Sequence, residues 1–135
     1  MEQPKQGDIY LLKFDGIDNE QTGTRPALII SNNVGNLYSP TVIVLPLTTS
    51  IKKTSMPTHV ILKRDESGLK YDSMVLCESP VCVSKKRLIK YLTNVSGEQF
   101  EAVALAYLLA TGIMSNISEK DLIAARDRAV SLNSA

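Results

Sequence analysis

The sequence of 135 residues contains no tryptophan, a single histidine and only two cysteines. One histidine excludes a mechanism that needs two imidazoles on the same chain. Cys77 and Cys82 are not spaced as C-x-x-C, and His59 alone cannot complete a zinc site with them. We therefore expect two reduced and mostly buried thiols, with no metal ion and no other cofactor.

An excess of charge of either sign is also missing. The 15 basic and 14 acidic residues give a net charge of +1. A protein that coats nucleic acid non-specifically is usually more basic, so any anion site in this chain must be local. No apolar run reaches the roughly 18 residues of a membrane span, and the first residues, MEQPKQGD, do not resemble a signal peptide. We therefore expect a cytoplasmic protein.

Short apolar runs separated by turn residues make up most of the chain. Strands are predicted at residues 8–14, 26–31, 41–47, 58–63, 73–78 and 88–95. The second and third of these runs are apolar almost throughout, which predicts buried central strands. The segment 32–40 is predicted to be a loop, and Ser67-Gly68 is predicted to be the tip of a hairpin.

Two helical patterns follow the strands. Ser96 with Gln99 and Ser118 with Asp121 match the capping box, and the first of them predicts a helix over 97–111. Several short strands with few helical crossovers are typical of a small, strongly curved antiparallel sheet or barrel. The predicted fold class is therefore β-rich α+β, with the helices late in the chain.

A permanently charged side chain stands at the entry to an apolar strand, in the stretch EQTGTRPALII. Pro26 restricts the residue before it to extended backbone, so the direction of the Arg25 side chain is partly fixed. The planar guanidinium suits a carboxylate or a phosphate. Two kinds of partner are open at this point: a plain ion pair with Glu20 or Glu78, or an anionic ligand.

Two threonines, Thr48 and Thr49, end the next buried strand. If this strand and the one after Arg25 are neighbours that end at the same edge, the arginine and a threonine hydroxyl can converge on one small anion. Strand propensity alone also explains a threonine at such a position. The pair therefore marks a candidate anion site without identifying its ligand.

These motifs belong to a longer series that runs through most of the chain. QGDIY comes first, EQTGTRPALIISNN surrounds the arginine, SPTVIVLPLTTSIKKTSMPTHV and GLKYDSMVLCES follow, and EQFEAVALAYLLATGI comes last. From about residue 6 to 113 the sequence resembles the MazF/PemK family of toxin endoribonucleases. The resemblance implies a small SH3-like antiparallel β-barrel of the CcdB/PemK type with a C-terminal helix, spanning residues 1–113, and a homodimer.

The resemblance also implies a chemistry. Members of this family cleave single-stranded RNA without a metal and leave 2′,3′-cyclic phosphate and 5′-hydroxyl ends. The family's motif arginine and threonine fall on Arg25 and Thr48, which are thereby implied as the catalytic pair. A guanidinium and a hydroxyl aimed at the phosphorane oxygens would stabilise the charge that develops there. Proton transfer by Arg25 is physically harder, because a guanidinium is effectively always protonated.

Further residues are implied along the RNA groove: Glu20, Gln21, Asn32, Thr49, Lys52, Lys53, His59, Glu78 and Ser79. His59 lies in the family segment MPTH and either contacts a base or is a partly exposed strand histidine. Lys52 and Lys53 either contact RNA phosphates or belong to a solvated loop. The family has a glutamine where this chain has Ser79, so the preferred bases are expected to differ.

A protein partner is implied as well. In this family the acidic, largely disordered C-terminal segment of an antitoxin occupies the RNA surface, so a MazE-like antitoxin is the expected partner. Residues 114–135 extend past the usual end of the family. Their capped amphipathic stretch SEKDLIAARDRAVSL predicts an additional helix that packs on its own domain or on the dimer mate, or that contacts the antitoxin.

Three functions remain open from the sequence. The first is a metal-independent endoribonuclease toxin. The second is a non-cleaving toxin on the same barrel, comparable to related gyrase poisons, which depend on a C-terminal tryptophan that this chain lacks. The third is a degenerate nuclease that binds RNA or antitoxin without cutting, and it rests on Ser79 and the unusual segment CESPVC.

Overall fold

The computed structural model describes residues 3–14, 23–51 and 56–134, and within these residues its main feature is an antiparallel β-sheet. The strands are β1 (Asp8–Phe14), β2 (Gly23–Ile29), β3 (Thr41–Thr48), β4 (His59–Leu62), β5 (Ser73–Leu76), β6 (Val81–Ser84) and β7 (Leu88–Asn94). The helices are α1 (Asn33–Tyr38), α2 (Arg64–Ser67), α3 (Gly97–Thr111) and α4 (Glu119–Leu132). Short 3₁₀ turns span Lys85–Arg87 and Ile113–Asn116.

Strand β3 pairs with the strands β2, β5 and β6. The hydrogen-bonded order is β4-β5-β3-β2-β1-β7, and β6 pairs with the first half of β3. Near its end β3 leaves β2 and continues beside β5. The strand therefore changes partner along its length, which curves the sheet and places the ends of β2, β3 and β5 close together.

The sheet separates two apolar clusters, and alternate residues of the central strands supply them. One cluster lies under α3 and contains Ile9, Leu28, Leu45, Leu47, Leu62, Leu69, Val75, Cys77, Val103 and Ala106. The other contains Tyr10, Leu12, Phe14, Ala27, Ile29, Val42, Val44, Val83 and Leu88. Because β2 and β3 bury residues on both faces, the prediction that they are central strands is confirmed.

The fold class is confirmed as β-rich α+β, but the expected barrel is open rather than closed. In the described part of the chain β4 and β7 end the strand order and do not pair. Strand β4 leads into the single turn of α2, where Gly68 has a φ of 78°. The Thr93 hydroxyl of β7 donates to the Ser67 carbonyl over 3.0 Å. In a closed barrel β4 and β7 would pair through their backbones, whereas here the hydrogen bond between the Thr93 side chain and the Ser67 carbonyl connects β7 with α2.

Three elements differ from the sequence-based expectations. The predicted loop 32–40 contains α1, whose first turn is capped by the Asn32 side chain. The predicted hairpin tip is the helical turn α2, although β4 and β5 do pair. Strand β6 was not predicted, because it has only four residues, follows Pro80 and buries Val83 alone. The bounds of β1 and α3 agree with the prediction.

The two long helices are held in different ways. Helix α3 has the predicted capping box at Ser96 and buries Val103 and Ala106 against the sheet. Helix α4 has no buried residue. Its end is fixed by Asn133, whose Oδ1 accepts from the Asn33 amide over 3.0 Å and whose Nδ2 donates to Gln6 Oε1 over 2.7 Å.

Within the described residues, no helix combines the length and the apolar character that a membrane crossing requires. Packing of the additional helix α4 on a dimer mate or on an antitoxin stays a prediction, because the structure contains a single chain. The contacts of Asn133 show only where the end of α4 meets its own domain.

Candidate functional site

A cleft of about 260 Å³ opens where β2 and β3 stop pairing. The last pair in this ladder is Ala27 opposite Pro46. In an antiparallel pair, successive opposed positions alternate between amides that face the partner strand and amides that face away from it, and the Ile30 amide donates to the Ile43 carbonyl. In this register Pro26 stands where an amide would face β3, and it has no amide hydrogen to donate. Strand β3 continues beside β5, with Thr48 opposite Met74. A proline thus stands in each strand at the point where the two strands separate.

Arg25 and Thr48 line this same cleft. Continuing the β2–β3 register two residues past Ala27 and Pro46 sets Arg25 opposite Thr48. Residues that are directly opposed on antiparallel strands share one face of the sheet. Both residues are partly buried. The expected convergence of the arginine and the threonine is therefore seen, while their catalytic roles stay predictions.

Hydroxyl groups surround Arg25, which is the one cation among the described residues that line the cleft. The described residues of its lining are Thr24, Arg25, Pro26, Leu47, Thr48, Thr49, Ser50 and Ser73. The Thr48 hydroxyl oxygen accepts a hydrogen bond from the Ser50 amide over 3.1 Å, which leaves its proton free to donate into the cleft. The Ser73 hydroxyl donates to the Tyr71 carbonyl over 3.1 Å. One fixed positive charge among several hydroxyls suits a singly charged anion such as a phosphodiester.

The ion pair between Arg25 and Glu78, one of the two alternatives left open, is wrong. Glu78 Oε1 lies 2.9 Å from His59 Nε2, with side-chain exposures of 36% for Glu78 and 16% for His59. Among the described residues, no ion pair involves Arg25. Glu20 lies outside the described residues. The arginine therefore faces the cleft without an internal counter-ion from the part of the chain that is described.

His59, Glu78 and Ser79 form a second polar group on the β4–β5 hairpin. His59 is opposite Leu76, whereas Ser73 at the cleft is opposite Leu62, three positions along the strand. Three strand residues span about 10 Å. The Ser79 amide donates to the Leu76 carbonyl over 3.1 Å, which keeps this turn beside the histidine. The structure brings these three predicted residues together and separates them from Arg25.

The other predicted binding residues are distributed unevenly. Thr49 lines the cleft. Asn32 does not, because it follows the opposite end of β2 and its side chain accepts from the Gly35 amide over 2.8 Å as the cap of α1. Four predicted residues lie outside the described part of the chain: Glu20, Gln21, Lys52 and Lys53.

Sequence reasoning missed three hydroxyl residues of the lining, Thr24, Ser50 and Ser73. Thr24 and Ser50 are close in sequence to the motif residues and could have been found on that ground. Ser73 could not, because its position depends on the pairing of β3 with β5, a contact between strands that are not consecutive in the chain.

The two cysteines have different environments. Cys77 is fully buried, and this burial, together with the negative charge of Glu78, raises the pKa of its thiol to about 12. Cys82 is exposed. The expectation of mostly buried thiols is thus confirmed for Cys77 and wrong for Cys82. In the described ranges, no group of three or more His, Cys, Asp or Glu residues is arranged to hold a metal ion.

Known proteins are similar to this chain over most of its length. An Endoribonuclease MazF from Staphylococcus saprophyticus subsp. saprophyticus is 38% identical over 117 residues, which cover 86% of this chain and 98% of that protein. A MazF structure from Deinococcus radiodurans superposes with a TM-score of 0.72 at 23% identity, covering 83% of this chain and 99% of the other.

A second solved structure supports the fold assignment. An endoribonuclease in complex with its cognate antitoxin, from a mycobacterial species, matches with a TM-score of 0.66 at 24% identity and covers 82% of this chain and 96% of the other. Residues 5–109 match the family model described as PemK-like, MazF-like toxin of type II toxin–antitoxin system. The chain therefore belongs to the PemK/MazF toxin family.

Proposed function

We propose that this chain is the toxin of a type II toxin–antitoxin system and acts as a metal-independent endoribonuclease on single-stranded RNA. The observation that carries the proposal is the position of Arg25 and Thr48 on one cleft, where β2 and β3 separate. The 38% identical relative, which bears the name Endoribonuclease MazF, supports the activity. Cytoplasmic mRNA is the proposed substrate.

The reaction proposed is an internal transfer of the phosphodiester. The RNA 2′-oxygen attacks the adjacent phosphorus and loses its proton, and the bond from phosphorus to the 5′-oxygen breaks as that oxygen gains a proton. The products are a 2′,3′-cyclic phosphate and a 5′-hydroxyl. Negative charge grows on the two non-bridging oxygens, which is where the Arg25 guanidinium and the Thr48 hydroxyl would donate.

Arg25 is assigned charge stabilisation rather than proton transfer. A guanidinium stays protonated throughout the working range of an enzyme, so it is a poor base. Its partly buried position at the cleft strengthens its interaction with a bound anion relative to water. Removing one such donor typically costs a factor of about 10²–10³ in rate.

Two protein partners are part of the proposal. An antitoxin with an acidic segment is proposed to cover the cleft, since its carboxylates can use the same cation as RNA phosphate. A second copy of the chain is proposed on the surface that includes α3, because this helix carries exposed apolar residues on the side away from the core. Leu105 is 57% exposed and Leu109 is 65% exposed. Leu109→Lys is expected to lower the apparent mass in size-exclusion chromatography if this surface forms the dimer.

The ends of the cleavage products test the chemistry. The downstream fragments should accept a radioactive phosphate from polynucleotide kinase without prior phosphatase treatment, because their 5′ ends carry a hydroxyl. The upstream fragments should resist periodate oxidation, because a cyclic phosphate blocks the cis-diol. Downstream fragments with 5′-phosphates would contradict the mechanism, even if the RNA is cut.

A further inference from the structure

Two further cavities lie next to the Arg25 cleft, and Thr49 is the one predicted site residue among their described lining residues. A neighbouring cavity of about 240 Å³ shares Pro26, Thr49 and Ser73 with the cleft. A third cavity of about 250 Å³ shares Lys70 and Tyr71 with the second. Because neighbouring cavities share lining residues, we treat the three spaces as one groove, which begins at the candidate catalytic pair and ends at the connection between α2 and β5.

Tyr71 stands between the second and third cavities and borders both of them. Its side chain is 60% exposed. It comes two residues before Ser73, so its Cα lies at most about 7 Å from that of a residue lining the cleft. An aromatic ring exposed to this extent gives little to the core, because most of its surface stays in water.

The backbone around Tyr71 is braced on both sides. Its carbonyl accepts a hydrogen bond from the buried Ser73 hydroxyl over 3.1 Å. The Asp72 carboxylate accepts from the Arg64 amide over 2.7 Å, which ties the segment to α2. Lys70 Nζ lies 5.8 Å from the centroid of the Tyr71 ring, within the range of a cation–π contact. The ring is therefore presented from a fixed backbone, with the Lys70 ammonium over one of its faces.

The charges around the third cavity balance. Arg64 and Lys70 are matched by Asp65 and Asp72. Arg64 Nε is also 3.3 Å from Asp65 Oδ1, although both side chains are mostly exposed. This end of the groove therefore adds little attraction for a phosphate, and an exposed aromatic ring is its distinguishing feature. A neutral planar group is the ligand that such a surface fits best.

We propose that Tyr71 is a stacking platform for a base beyond the two nucleotides that the scissile phosphate joins, held in the groove that continues from the Arg25 cleft. The proposal rests on the proposed function, since it assumes that the cleft holds RNA. It extends that function by assigning a subsite on the chain's own surface. Stacking tolerates any base, so Tyr71 contributes affinity for longer substrates more than sequence preference.

The experiment first uses cleavage of a mixed-sequence RNA to locate a cut site. An oligonucleotide that spans this site, with a 2′-deoxy sugar at the attacking position, then serves as a probe that cannot be cleaved. Its affinity is measured for the wild type, Tyr71→Ala, Tyr71→Phe and Tyr38→Ala. Tyr38 is 80% exposed at the end of α1 and does not line the groove, so it is the matched control.

Tyr71→Ala is expected to weaken binding by about 5- to 100-fold, the range of one base stacked on an aromatic side chain. Tyr71→Phe and Tyr38→Ala should bind as the wild type does. The slope of affinity against salt should not change in Tyr71→Ala, because the ring carries no charge. Shortening the probe to the nucleotides next to the scissile phosphate should remove the difference between Tyr71→Ala and wild type.

Equal affinity of Tyr71→Ala and Tyr38→Ala for the long probe would overturn the platform. Polyglutamate is tested as a competitor of the RNA probe. If Tyr71→Ala binds RNA as the wild type does but polyglutamate no longer competes with that binding, the ring belongs to a site for an acidic peptide and the platform is also overturned. Failure of the proposed function is a separate outcome: the wild type would then leave the mixed RNA uncut. Thermal unfolding of each variant shows whether a loss of binding comes from misfolding.

Discussion

The backbone amide of Ser50 donates a hydrogen bond to the hydroxyl oxygen of Thr48 over 3.1 Å. This contact occupies an acceptor site of the hydroxyl and leaves its proton available to the cleft. The side chain is thereby oriented by its own strand end before any ligand binds. A donor that is held in place in this way does not need to reorganise when charge develops on a bound phosphate.

Replacing Thr48 tests this orientation. Thr48→Val keeps the shape of the side chain and removes the donor, so cleavage should fall by about 10²–10³ with little change in RNA affinity. Thr48→Ser keeps the hydroxyl and should retain most of the activity. Single-turnover cleavage rates compare the variants. Full activity in the valine variant together with a loss in the serine variant would show that the methyl group, and not the hydroxyl, is needed.

The His59–Glu78 pair is expected to act in binding. His59→Ala should lower RNA affinity by about 5- to 10-fold, the effect of one hydrogen bond to a base edge, while the rate at saturating RNA stays unchanged. Glu78→Gln keeps an oxygen that can face His59 Nε2, so its RNA affinity should fall less than that of His59→Ala. Fluorescence anisotropy with an uncleavable RNA measures both. Unchanged affinity in His59→Ala would make the pair a purely structural contact of the hairpin.

The two thiols should differ in reactivity. Cys82 is exposed, whereas burial raises the pKa of Cys77 to about 12 from an ordinary value of 9.0. A disulfide reagent at pH 8 should therefore titrate one thiol in the native protein and two after unfolding, and Cys82→Ser should abolish the native reaction. The folded state holds the Cys77 proton more tightly than the unfolded state does, because the pKa of this thiol is about 12 in the fold and 9.0 ordinarily. The protonated Cys77 thiol therefore contributes fully to the free energy of unfolding below pH 9, and this contribution is lost as the pH rises toward 12. Rapid modification of both native thiols would contradict this account.

The end of α4 should depend on Asn133. Asn133→Ala removes its two side-chain hydrogen bonds, to the Asn33 amide and to Gln6, so amide exchange in the last turns of α4 should speed up while the sheet keeps its protection. Asn116→Ala, in the exposed turn Ile113–Asn116, is the control. Equal exchange in the two variants would show that the contact does not hold the helix.

A chain ending at 113 that keeps its dimer and its thermal stability would contradict packing of this helix on the domain or dimer mate.

Sequence reasoning could bring Arg25 and Thr48 together at one candidate cleft because the signals at both residues are local. Arg25 precedes a proline at a strand entry, and Thr48 ends the next apolar run, so both could be placed at one edge before the structure was known. Ser73 and Tyr71 depend on pairing between β3 and β5, which no local pattern reveals.

Local composition was misleading where tertiary contacts decide the structure. The segment of α1 reads as a loop because it contains asparagine and glycine, yet Asn36 is buried and donates to the Ser31 carbonyl over 2.8 Å. The expected barrel closure failed for a similar reason. Strand β4 turns into α2 at Lys63, and the side chain of Thr93 takes the place of a strand pairing.

Cleavage of a long mixed-sequence RNA by the purified protein in EDTA tests whether the Arg25 cleft cleaves RNA. Arg25→Ala and Arg25→Lys are assayed beside the wild type. The account predicts discrete cuts by the wild type, none detectable with alanine and strongly reduced cutting with lysine, since an ammonium keeps the charge but not the planar fork. Intact RNA after incubation with folded, antitoxin-free wild type, or equal cutting by Arg25→Ala, would contradict it.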